Sequence, residues 1–100
     1  MSFEQCLAKG KIKEFSQGKA LVQKELQTAE KDLLDGKEGF ERKKYKWTTI
    51  QSYYVMFHSA RGLLYNKNYR EKSHYCLIIA LKYLYVDTGK LPGYFIESLQ

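Results

Sequence analysis

The chain has 100 residues, enough for one domain with a single small core. Hydrophobic residues make up 44%, and the longest strictly apolar run, Leu77 to Leu81, falls far short of the ~20 residues a membrane span needs, so no membrane segment is expected. The net charge of +6 fits a polyanionic partner such as nucleic acid, a nucleotide or an acidic protein, and it fits a solvated lysine-rich surface equally well.

The N-terminus lacks a charged-then-apolar signal pattern, so a cytoplasmic address is expected. Cys6 and Cys76 have no metal-ligand spacing and read as reduced, inert thiols. The charge is uneven. Lys37, Arg42, Lys43, Lys44 and Lys46 stand against only Glu38 and Glu41, and Lys67, Arg70 and Lys72 form a second group. All nine tyrosines lie from Tyr45 onward, so the second half is the aromatic half.

Strand-like alternation is absent, and apolar residues recur at helical spacing. A short helix is predicted from about Phe3 to Lys9, stopped by Gly10. Ser16 is the expected N-cap of a long second helix to about Asp35, whose stripe is Val22, Leu26, Ala29 and Leu33. Gly36 and Gly39 read as the break after it.

A third helix is predicted from about Tyr45 to Asn66. Ile50, Tyr53, Phe57, Ala60 and Leu64 share one face, and Trp47, Gln51, Tyr54, His58 and Tyr65 the next, with Arg61 between them. Its remaining side is Thr48, Ser52, Val55, Ser59 and Gly62, mostly small, so another helix can approach closely and this helix should be central. Ser73 is the expected N-cap of a fourth helix from His74 to about Asp87, with Leu77, Ala80, Leu81 and Leu84 on its core face. Pro92 opens a fifth segment that stops at Gln100 as it turns helical. The expectation is a bundle lacking a final member, filled by a partner chain or by a continuation of the protein.

The stretch from Thr49 to Leu91 carries a pattern of residues, not only a periodicity. Tyr53, Tyr54, Met56, Phe57, His58, Ala60, Arg61, Leu63 and Leu64 match the central helix of the HEPN family (higher eukaryote and prokaryote nucleotide-binding domains). Lys72, Ser73 and His74 match the opening of its next helix, and Thr88, Gly89, Leu91 and Pro92 the segment after that. The chain resembles the small stand-alone prokaryotic members. The resemblance implies an all-α, antiparallel up-and-down bundle of four to five helices, often a homodimer, and frequently a minimal nucleotidyltransferase as partner in a toxin–antitoxin or defence setting. Some relatives are toxins that cut RNA without metal through an Arg-x4-6-His motif. No such spacing occurs here, since Arg70 and His74 have only three residues between them.

Four constellations carry candidate chemistry. His58 and Arg61, neighbours on one helix flank, suit phosphate binding and general-base work, or a polar pair that sets helix register. Ser73 and His74 at a helix start, beside Arg70 and Lys72, suit an anion, or a simple cap. A metal-independent ribonuclease is the alternative that His58, Arg61, Arg70 and His74 together offer. Arg42, Lys43, Lys44 and Lys46, with Tyr45 and Trp47, suit a nucleic-acid backbone and its bases, or a solvated connection whose rings point inward. No cofactor fingerprint and no metal-ligand set is present. The leading expectation is a non-catalytic HEPN-type module that binds a nucleotide, nucleic acid or partner nucleotidyltransferase. A ribonuclease and a purely structural dimerisation domain are the alternatives.

Overall fold

A computed structural model describes all 100 residues. The elements run α1 (Phe3–Ala8), β1 (Ile12–Glu14), α2 (Gly18–Glu41), α3 (Tyr45–Tyr65), β2 (Tyr69–Glu71), α4 (His74–Leu81) with a π-helical continuation (Lys82–Val86), and α5 (Tyr94–Leu99). The fold is an all-α, HEPN-like up-and-down bundle carrying one small sheet. No helix is long and apolar enough to cross a membrane.

Local chemistry accounts for the ends of these elements. Ser2 and Gln5 form a capping box at α1, each side chain bonding the other's backbone N–H. The helix closes at Gly10, whose φ of +69° needs a residue without Cβ. Ser73 caps α4 as expected, accepting from the Cys76 N–H at 3.3 Å. The α4 register then slips into a π turn, with the Asp87 N–H donating to the Lys82 carbonyl at 2.8 Å. Where a regular helix to Asp87 was expected, the π turn carries Tyr85 into the core, and its hydroxyl donates to the Leu63 carbonyl at 2.7 Å.

The structure corrects three expectations about the first half. Helix α2 starts after Gln17, not Ser16, and no side chain caps it. It runs through Gly36 and Gly39 to Glu41, and Gly39 is a place of close approach to α3 rather than a break. A Cβ on Gly39 would stand 3.0 Å from Thr48 Oγ1, and one on Gly36 3.4 Å from the Gln51 Cβ. The expected absence of strands also fails. β1 and β2 pair antiparallel, Ile12 opposite Glu71 and Lys13 opposite Arg70. Three-residue strands are too short to show alternation.

The cysteines differ from expectation as well. Cys6 and Cys76 are joined as a disulfide that ties α1 to α4, with both residues buried. They lie 70 residues apart in sequence, so no spacing pattern pairs them.

The core is displaced to one end. Phe3, Cys6 and Ile12 meet Ala60 and Leu64 of α3, Leu77 and Leu81 of α4, and Ile96 and Leu99 of α5. Helix α2 is 24 residues, about 36 Å at 1.5 Å per residue, and with α3 it forms a hairpin reaching past this core. The longest dimension of the molecule, 45 Å, follows from that projection. The expectation of α3 as a helix packed on several flanks therefore holds only near its C-terminus. Towards its start Tyr45, Trp47, Tyr53 and Tyr54 are about half exposed.

Candidate functional site

His58 and Arg61 face α2 and β2 and meet carboxylates there. His58 Nδ1 lies 2.6 Å from Glu25 Oε2, and Nε2 lies 3.8 Å from Asp32 Oδ2. Glu25 and Asp32 are seven residues apart on α2, two turns along the same flank. Arg61 Nε and Nη2 donate to Glu71 Oε2 at 3.2 and 3.0 Å, and Nη1 lies 3.8 Å from Glu25 Oε1. The Arg61 guanidinium also covers the Phe57 ring, 4.5 Å from its centroid.

The charge balance of this cluster is negative: Glu25, Asp32 and Glu71 surround one arginine and one histidine. Burial works against the Arg61 charge, but the hydrogen bond and charge of Glu71, with Tyr65 and Glu25 behind them, raise its pKa above the ordinary value. Burial also raises the neighbouring Tyr65 phenol. The chain's own carboxylates hold Arg61 and His58, and an incoming phosphate would meet three acids. These acids lie 10 to 36 residues from their partners, so sequence spacing gave no signal for them.

His74 sits on the other side of Phe57. Its ring stacks on Phe57 with centroids 6.0 Å apart, and Nε2 lies 3.3 Å from the Leu99 carbonyl of α5. Arg70 is elsewhere, exposed on the ribbon and poised 5.6 Å over the Phe15 ring. Lys72 is exposed beside Lys13. The four residues of the ribonuclease reading are thus divided: His58 and Arg61 sit among carboxylates, His74 packs against α5, and Arg70 belongs to the ribbon.

The basic segment is the open part of the molecule. Helix α2 ends in a Schellman turn: the Lys44 N–H donates to the Gly39 carbonyl and the Lys43 N–H to the Phe40 carbonyl, with Lys43 at φ +61°. This tight turn crowds Arg42, Lys43, Lys44 and Lys46 onto the hairpin end, all exposed. Only Arg42 has an acidic partner, Glu38 at 3.1 Å on the surface. Tyr45 and Trp47 are 55% and 50% exposed, so their rings point outward rather than into the protein. Lys43, Lys44, Tyr45, Lys46, Trp47 and Ile50 line an open cavity of about 610 Å³. That arrangement of cations beside half-exposed aromatic rings suits a nucleic-acid strand. No group of three His, Cys, Asp or Glu side chains is placed to hold a metal ion.

Comparison with known proteins adds a family to this geometry. The protein named "Putative toxin MJ0605" from Methanocaldococcus jannaschii is 35% identical over 68 residues, 68% of this chain and 51% of that protein. The chain thus spans about half the length of the curated relative it matches. No solved structure matches the chain. The HEPN domain matches over residues 22–100, from within α2 to the last residue, and the chain belongs to the HEPN domain family.

Proposed function

We propose that the chain is a non-catalytic, HEPN-type binding module of a toxin–antitoxin pair, and that its hairpin end holds single-stranded nucleic acid. The observation that carries this reading is the exposed end itself: Arg42, Lys43, Lys44 and Lys46 grouped beside outward-facing Tyr45 and Trp47. The cations track the phosphate backbone, and the rings stack on bases. The toxin–antitoxin setting rests on the name of the relative and on the family. The lack of catalysis rests on the separation of His58, Arg61, Arg70 and His74 and on the missing Arg-x4-6-His spacing.

The test is incubation of the purified protein with labelled mixed RNA in EDTA, read for binding and for cleavage. His58→Ala and His74→Ala are run beside it. Binding that weakens steeply with salt, with the RNA intact, is the expected result. Cleavage lost in either histidine variant would establish a metal-independent ribonuclease instead, and absence of binding at low salt would remove the nucleic-acid reading.

A second reading has its own observation. Leu33, Leu34 and Phe40 on α2 are 51%, 60% and 61% exposed, and Leu33 and Phe40 line one open cavity with Val55 of α3. A protein occupant, either a second copy or a minimal nucleotidyltransferase, suits this side. Light scattering of the protein alone and with such an enzyme separates the two.

A further inference from the structure

The β-ribbon carries an arrangement that folding alone does not explain. Ile12 is 1% exposed and the Glu71 side chain 7% exposed, so the Ile12–Glu71 pair faces inward. Alternation along each strand puts the next residues on the outer face. These are Lys13, directly opposite Arg70, and Lys72, whose N–H donates to the Lys11 carbonyl at 2.8 Å one step beyond the ladder. Lys11, Lys13, Arg70 and Lys72 are all exposed. Like charges placed opposite each other across a ladder destabilise it. None of the six ion pairs in the molecule uses any of these four residues. The nearest acid along β1, Glu14, falls on the Ile12 side of the strand. Crowding by Lys13, with Arg70 beyond it, holds the Lys72 ammonium below the ordinary lysine pKa.

We propose that the outer face of the β1–β2 ribbon is a second anion site, which binds the phosphate backbone of a nucleic-acid strand through Lys11, Lys13, Arg70 and Lys72. The composition of the face decides the class of ligand. A protein interface buries a core depleted in lysine, whereas this face presents four cations, one of them over the half-buried Phe15 ring. Backbone phosphates ask only for positive charge and N–H donors. Arg70 adds a planar fork that can grip two phosphate oxygens, and it is held over the Phe15 ring. The site deepens the proposed nucleic-acid binding but uses a separate surface at the core end of the molecule.

The experiment is a titration of ¹⁵N-labelled protein with a short oligouridylate, following amide shifts of both surfaces, beside Lys13→Gln/Arg70→Gln. The expected result is saturable movement of the Lys11–Lys13 and Arg70–Lys72 amides. The double variant should bind about tenfold more weakly, and its plot of log affinity against log salt should flatten by about 1.4, ~0.7 for each lost phosphate contact to a single strand. Its midpoint of thermal unfolding should stay level or rise, because the substitutions remove repulsion at exposed positions. Movement at the hairpin end alone would overturn the ribbon site and leave the hairpin reading standing. Stillness of both would overturn both. Movement of the ribbon amides by a poly-glutamate peptide at lower concentration than by RNA would assign the face to an acidic protein instead.

Discussion

Glu71 shows how a single residue decides what another can do. Its carboxylate is almost fully covered and accepts two hydrogen bonds from Arg61, which turns a side chain suited to phosphate into a strut between α3 and β2. Glu71→Gln keeps the shape and removes the charge. Arg61 is 28% exposed, so solvent screens part of the loss, and urea unfolding should show a decrease of about 1–2 kcal/mol. An unchanged midpoint would mean that Arg61 finds another partner and that the strut is not what holds β2. The helix-face pattern revealed that His58 and Arg61 are neighbours. It could not reveal their carboxylate partners, because proximity across α2, α3 and β2 is a property of packing and not of spacing.

At the scale of elements, the long hairpin depends on where two backbones touch. A Cβ on Gly18 would stand 2.4 Å from the Tyr65 carbonyl oxygen, a backbone atom that cannot swing aside. Gly18→Ala should therefore cost about 1–3 kcal/mol of unfolding free energy. A Cβ on Gly36 would meet the Gln51 Cβ at an ordinary 3.4 Å, and the better helix propensity of alanine should raise stability by up to about 1 kcal/mol. Equal effects of the two substitutions in denaturant would contradict the packing described. The third helix and the Ser73 cap were legible because long periodicity and capping chemistry are local. The continuation of α2 past Gly36 and Gly39 was not, because glycine in a sequence looks the same whether it ends a helix or lets another approach. The ribbon was missed for its length, and the choice between exposed and inward-pointing rings at Tyr45 and Trp47 stayed open for want of any sign that the core lies at the other end.

The whole molecule consists of a cross-linked core end and a projecting hairpin. Closing a loop of 70 residues, the Cys6–Cys76 disulfide should contribute about 4 kcal/mol on the chain-entropy account, so dithiothreitol should lower the unfolding free energy by that order. A reduced protein as stable as the oxidised one would show that burial alone fastens α1. The hairpin, by contrast, owes its exposure to lying beyond that core, and the proposed binding rests on this exposure. Trp47 is the single tryptophan of the chain and stands at the hairpin end, so its fluorescence reports on that surface without a label. The most direct measurement is a titration of Trp47 fluorescence with single-stranded RNA at several salt concentrations. Quenching that saturates, and whose midpoint moves to higher RNA concentration as salt rises, is the result expected of a strand stacked and held by the neighbouring cations. Emission that stays constant while an independent anisotropy measurement shows the RNA bound would contradict the hairpin end as the binding site.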